Sequence, residues 1–416
     1  MKKFFARLFL PALAILLFCG CDKFKEEVAS SKLSKDSVKP GSKGEGQCCW
    51  NLLFEGGPDC VSRSVAVTAD GGHVLAGNIG EQQLGQSASV WVVKVDGNGE
   101  KVFEKAFKKD AWNEARAIAL AGDSGFWVSG FTGSFHPKGR KHGFVIKLDK
   151  SGEKVFEKIL DNGYWKWPKA MTVTSDGGVV IAGVSRQSRG SSEDFWVIKL
   201  DGSGNRLWEK DLGGDGDDLV YGVAEDEDGN IAAVGVTGSK GAGGADLWVI
   251  LFDENGAQKW EKVLGGKKDE GGRGIARAHD GGWIVAGETE SFADSWSAIW
   301  LVKLDDDGKQ EWSKTISRGG SDYSHYISTA KREEYVLIAK TGSMTGRDAL
   351  IMRLDKAGNV LWEREIDGLD NEWALFGKGT GDGGILFGGY LSSYKGGRAW
   401  LAATRQGENC GKCFDY

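Results

Sequence analysis

Proline and histidine are both scarce, with five of each in 416 residues. Beside 64 glycines, 17 tryptophans and 19 phenylalanines, so little proline is neither a collagen-like nor a disordered bias. It suits many short aromatic strands joined by tight turns. The histidines (His73, His136, His142, His279 and His325) form no HExxH pair, and no glycine-rich phosphate loop precedes a helix, so the motifs that would name a metal or cofactor are missing. Neither is expected. Excess positive charge is lacking too: 53 Lys and Arg face 59 Asp and Glu, for a net charge of -6. A nucleic-acid binder needs a dominant basic field to displace counterions, so that class is excluded.

The one apolar run is "LFLPALAILLF", after the basic "MKKFFAR". It is too short to span a bilayer comfortably, is broken by Pro11, and reads as a signal peptide. The "FCGC" that follows resembles a bacterial lipobox, with Gly20 before Cys21 and Phe18 where that family usually has Leu. The resemblance implies a signal over residues 1–21 with a lipidated Cys21, and in a Gram-negative cell makes Asp22 an inner-membrane retention signal. Plain secretion and an uncleaved anchor are the alternatives. Residues 22–45 are rich in Ser, Lys, Glu and Gly and read as a flexible tether. The expected location is the cell envelope: the periplasmic side of the inner or outer membrane, or the cell surface.

From residue 46 a phrase recurs: "KVFEKAF" (101–107), "KVFEKIL" (154–160), "RLWEKDL" (206–212), "QKWEKVL" (258–264), "QEWSKTI" (310–316) and "VLWEREI" (360–366). The period, about 50 residues, belongs to a repeat array. Each unit also carries a "DGG"-type turn (Asp70, Asp123, Asp176, Asp228, Asp280, Asp382), an apolar run ending in Gly, and a "VWVVKVDGNG"-type strand and turn. The sixth unit has "REEY" around Glu333 in place of the first turn. Four alternating strands, a to d, joined by Asp-Gly turns predict an all-β fold. About seven such antiparallel units make a β-propeller, a single domain over 46–416.

The seventh unit lacks a convincing strand d, whereas "GQCCWNLLFEGG" (46–57) is a strand d without a unit. The N-terminal strand is therefore predicted to pair with the third strand of the last blade and close the ring. Alternatively, Phe414 takes the Trp place from the C-terminus. Cys48 and Cys49 on the opening strand and Cys410 and Cys413 near the C-terminus are disulfide candidates in an oxidising compartment. A four-cysteine zinc site and a CxxC redox pair are the other readings, and Cys60 reads as a small buried residue.

The a–b and c–d turns are tight and uniform, so binding is sought on the opposite face, where the b–c and d–a loops vary. Aligning the inner strands puts Arg63, Arg116, Lys169, Tyr221, Arg273, His325 and Ala374 in one column near the channel mouth, with Trp112, Trp165, Trp167, Tyr323 and Trp373 close by. This reads as a site for an anionic ligand, glycan or peptide. The competing reading pairs the cations with Asp218, Glu270, Asp322 and Glu372 as inter-blade salt bridges. The acidic stretches 214–218, 225–230 and 305–308 look calcium-like but match no EF-hand loop, and read as turns.

From about residue 46 the "DGG...AG...W.VK.D..G...W" repeats resemble bacterial exported propellers, mostly lipoproteins. The "LDxxGxxxW" half, visible at Asp201, Gly204 and Trp208, resembles the tryptophan-docking motif of quinoprotein-like (PQQ-like) propellers. That implies that the Trp docks one blade on the next. The same motif occurs in non-catalytic members such as the lipoprotein of the outer-membrane β-barrel assembly machinery. Sialidase Asp boxes are similar in turn position but shorter in spacing. The repeats are specific for fold and almost silent on activity; the chain reads as a monomeric, lipid-anchored, non-catalytic binding or scaffold module for protein, peptide or glycan. The rival is a propeller enzyme acting on polysaccharide.

Overall fold

The computed structural model describes residues 32–34, 50–55, 60–80, 88–107, 112–133, 142–160, 165–188, 190–342, 347–366, 371–380, 383–393 and 396–404. Seven sheets, each a blade, form a β-propeller. In blade 1, strands a to d are Val61–Val67, His73–Gly80, Ala88–Val95 and Lys101–Phe107. Blades 2 to 6 repeat the pattern over 113–159, 165–212, 218–264, 270–316 and 323–366. Blade 7 takes Asn371–Gly379, Ile385–Ser393 and Gly396–Ala403 from the C-terminal part of the chain.

Its outer strand is Trp50–Glu55, antiparallel to Gly396–Ala403 with Leu52 opposite Leu401 and Phe54 opposite Ala399. The ring is therefore closed by the N-terminal strand, and the place weighed for Phe414 is occupied. Leu52 and Phe54 are buried in one cluster with Leu401 and Leu386 of blade 7 and Leu75 and Trp91 of blade 1. Phe54 meets Trp91 edge-on at 5.2 Å, so this strand also carries the seam between the last and first blades. Within the expected tether, Lys32–Ser34 adds a short strand beside Trp50–Glu55. Cys21, Cys48, Cys49, Cys410 and Cys413 lie outside the described residues; Cys60 is buried.

The core is divided among the seams. Seven apolar clusters fall one to each pair of adjacent blades. Strands b and c are sandwiched on both faces, so Phe126–Thr132 and Ala298–Leu304 are buried throughout. Strand d, at the rim, is half exposed.

Two repeated devices account for most of the sequence signature. In the a–b turns the Asp of "DGG" binds the Lys of the "VK.D" strand: Asp70–Lys94 at 2.7 Å, Asp123–Lys147 at 3.0 Å, Asp176–Lys199 at 2.8 Å and Asp280–Lys303 at 3.3 Å. The sixth blade substitutes Glu334 and Arg353 at 3.3 Å. Burial raises the Asp176 carboxyl, but hydrogen bonds from Lys199, Thr174 and the Gly178 N–H outweigh it and hold the group at about 2. In the c–d turns the first Asp accepts backbone N–H groups, as Asp201 does from Ser203 at 2.9 Å and Asn205 at 2.8 Å. Asp305 does the same in its c–d turn and Asp226 in the a–b turn of blade 4, so these calcium-like stretches are turns.

The second device joins blades. The c–d turn glycine has positive φ and lies under the strand-d aromatic of the preceding blade. A Cβ on Gly204 would stand 2.7 Å from Phe156, on Gly256 2.7 Å from Trp208, and on Gly308 2.8 Å from Trp260. The indoles complete the joint: Trp208 Nε1 donates to the Glu254 carbonyl at 3.0 Å and Trp260 Nε1 to Asp306 at 2.8 Å.

Gly256→Ala should therefore cost more than Gly177→Ala, which shares φ near +80° but has nothing within 4 Å of the new methyl. Both lose about 1–2 kcal/mol for the left-handed backbone, and Gly256→Ala loses roughly 1–3 kcal/mol more from overpacking, measurable by urea denaturation. Acid should also weaken the turns. A carboxyl held below its ordinary 3.8 contributes stability above that pH and loses it as pH falls towards about 2. Melting temperatures between pH 5 and 2 should drop less steeply for Asp176→Asn than for the parent chain.

Candidate functional site

Each inner strand carries a β-bulge near its start, at the variable-loop face. In blade 1 Ser62 opposes Gly77 and Ser64 opposes Ala76, leaving Arg63 as the extra residue. The same shift isolates Arg116, Lys169, Tyr221, Arg273, His325 and Leu375. A bulge re-aims its extra side chain, and these seven residues line one central cavity of about 440 Å³. Six members of the predicted column are thus brought together. The seventh is corrected: Leu375 lines the channel, whereas Ala374, one residue earlier, is still in ladder register and buried in the blade 6–blade 7 seam. The aromatic two positions before the bulge (Trp167, Tyr323, Trp373) marks the right register.

The bulge also explains the glycine in the second half of strand b. It presses a strand-a carbonyl against strand b: a Cβ on Gly77 would sit 1.8 Å from the Val61 oxygen, on Gly130 2.0 Å from Glu114, and on Gly235 1.8 Å from Leu219. In these three blades only a residue without a side chain fits. Blade 6 has Ala339 there.

Charge around the ring is partly balanced by acids that sequence reasoning missed. Glu114 bridges Arg63 at 3.1 Å and Arg116 at 2.9 Å. Glu288 binds Arg273 Nε through both oxygens, at 2.8 and 3.1 Å. The predicted partners are elsewhere. Asp218, Glu270 and Asp322 are buried and accept the backbone N–H of Gly214, Gly266 and Arg318 at 2.9, 2.5 and 2.6 Å. They staple the d–a loops and do not pair with the channel cations. The Glu372 side chain lies outside the described residues.

Lys169 stands apart. Lys166, three residues earlier, is fully buried but held by Glu209 at 3.1 Å and Asp211 at 2.7 Å. Among the described residues no carboxylate lies within ion-pair distance of Lys169. Its ammonium instead faces Trp167 at 4.3 Å and Tyr221 at 5.9 Å. Burial, with Arg116 nearby, lowers its pKa to about 8. The same aromatics carry the neighbouring cations, Arg116 at 5.7 Å from Trp167 and Arg273 at 4.3 Å from Tyr221. Burial, then Arg273 and Lys340, pushes His325 down to about 3, so it is neutral at physiological pH.

Trp373 packs behind His325 at 6.1 Å and stacks on Tyr390 at 5.8 Å, and Tyr390 faces Arg63 at 5.6 Å. Trp112 stands outside the cavity lining, its Nε1 donating to Glu114 at 3.4 Å. Deeper in, the lining turns apolar at Val65, Met171 and Val173. The ring thus sets four cations against the two carboxylates Glu114 and Glu288, with aromatic walls and a mostly apolar lining below that also carries Thr172 and Lys378. Such a mouth can hold an anionic group while ring or aliphatic parts pack beside it.

No family model and no curated protein matches the chain. Solved propellers do. A Kuenenia stuttgartiensis hydrazine synthase chain is 13% identical, with 89% of this chain and 99% of that one covered and a TM-score of 0.53. YCF48 bound to D1 peptide is 11% identical over 88% and 96%, with a TM-score of 0.51. BBS1N in complex with ARL6DN is 10% identical over 88% and 99%, with a TM-score of 0.50. At such identities the likeness is one of fold, and it agrees with the seven blades: this chain is a β-propeller.

Proposed function

We propose that the protein is a lipid-anchored binding module of the cell envelope whose channel mouth captures an anionic group of a peptide, protein or glycan without transforming it. The observation that carries this reading is Lys169, a cation without a carboxylate partner among the described residues, set between aromatic faces in a ring of further cations. Peptide- and protein-bound propellers among the structural neighbours are in keeping with it. A polysaccharide-cleaving enzyme would need an acid–base pair, and the ring's carboxylates Glu114 and Glu288 are engaged by arginines.

Arrays of acidic peptides and anionic oligosaccharides should yield a ligand whose affinity falls at least about tenfold in Lys169→Ala, a charge-assisted contact being worth about 1.5–3 kcal/mol. Since the ammonium is the binding form, affinity should hold below pH 8 and fall above it, while Lys169→Arg retains binding at higher pH. Because folding disfavours this charge, Lys169→Met should raise the melting temperature at pH 7. An array without an anionic ligand, or a ligand indifferent to Lys169, overturns the reading.

The anchor and clasp have separate tests. Intact-mass analysis should find acyl chains on the mature N-terminus and none in Cys21→Ser. Trp50 lies opposite Ala403, which supports a clasp between Cys48 or Cys49 and Cys410 or Cys413. Non-reducing peptide mapping should recover that link; free thiols throughout would exclude it.

A further inference from the structure

A second column of bulges lies on the outer strands. Val95 opposes Lys101 and Lys94 opposes Phe103, so Val102 is extra. Val155, Leu207, Lys259, Glu311 and Leu361 hold the same place in blades 2 to 6. Each follows its c–d turn directly, at the rim of the tight-turn face, and is turned outward. The occupants are not evenly distributed. Val102, Val155, Leu207 and Leu361 are 56%, 61%, 54% and 54% exposed, whereas Lys259 and Glu311 are charged. The equivalent place in blade 7 lies outside the described residues. Apolar positions therefore run along blades 6, 1, 2 and 3, an arc centred near blade 1, and the charged ones stand diametrically across the ring in blades 4 and 5.

We infer that this arc rests on a lipid bilayer, tilting the tight-turn face so that blades 1, 2, 3 and 6 touch lipid and blades 4 and 5 are lifted away. Three observations favour lipid over a protein partner. The side chains are aliphatic, without the aromatic anchors of a protein hot spot. They are spaced one per blade along a rim, as shallow insertion requires. In blades 1 to 3 each is preceded by a cation that also bridges a glutamate of its own strand, Lys101 to Glu104, Lys154 to Glu157 and Arg206 to Glu209, so apolar and basic residues stand side by side as at membrane interfaces. The inference also rests on the anchor reading. The chain meets the ring on blade 7, inside the arc, with Lys32 opposite Glu55 at the d–a loop end of the closing strand. The eleven residues from Cys21 to Lys32 reach at most about 40 Å, enough to pass the roughly 20 Å of a six-residue strand and bring the tight-turn rim to the bilayer. The acidic turns between the contacts keep insertion shallow, and the tilt leaves the channel mouth facing the envelope space.

The test uses the full chain in vesicles of phosphatidylethanolamine and phosphatidylglycerol, with a photoreactive benzophenone side chain placed at position 155 or 259. Lipid adducts at 155 should exceed those at 259 at least tenfold; equal yields, or protein adducts at 155, would overturn the inference. The anchor is separated by flotation of the non-acylated Cys21→Ser chain. It should still float weakly, and Val102→Glu with Val155→Glu and Leu207→Glu should reduce that fraction about tenfold. Flotation unchanged by the three glutamates also overturns the inference. Absence of acyl chains on the parent, with position-dependent adducts retained, removes only the anchor.

Discussion

The contact on which the rest of the molecule depends is an aromatic ring lying on a turn glycine of the next blade. Phe103, Phe156, Trp208, Trp260 and Trp312 each cover such a glycine at a distance that leaves no room for a methyl group. A blade alone is a four-stranded sheet with two apolar faces and no means of burying both. The aromatic–glycine joint sets the spacing at which neighbouring faces meet, and the seams then hold all seven apolar clusters. The closing strand brings Ser62 Oγ to the Gly389 carbonyl at 2.6 Å and Arg63 to Tyr390, so the channel ring is complete only when the last seam forms.

With seam spacing set, function is placed by defects in the ladders. Blades 1 to 6 each have an inner bulge that turns one residue into the channel and an outer bulge that turns one to the rim. Neither position is needed to fill the core, so both are open to variation at little cost to the fold. The inner column has become basic and aromatic, the outer one apolar on one side and charged on the other. At the mouth the arginines are matched by buried carboxylates, as low-dielectric surroundings require. Lys169 is not, and its lowered pKa records the free energy held in an uncompensated cation that an incoming anion would recover.

Much of this was legible in the sequence. The recurring strand-d phrase and Asp-Gly turns carry a period that only a repeat array satisfies, and the orphan strand with Trp50 pointed to closure because strand edges demand partners. The basic column was found because six of its members follow the same bulge at spacings of 52 or 53 residues. It failed at Ala374, where the unit is shorter and the register must be read from Trp373. Glu114 and Glu288 were missed because they act from a neighbouring ring position and from strand b, and pairwise contacts across strands leave no periodic trace. Asp218, Glu270 and Asp322 were misassigned for the opposite reason: their periodicity is real, but it reports a loop staple four residues long.

The central claim is that the ring and its channel mouth are held together by seams, the last of which is carried by the N-terminal strand. Hydrogen exchange on the full chain and on a Leu52→Asp, Phe54→Asp variant tests it most directly. The account predicts that segments 396–404 and 61–67 lose protection together in the variant while 231–252, in blade 4, keeps it. Undiminished protection at 396–404 would contradict it.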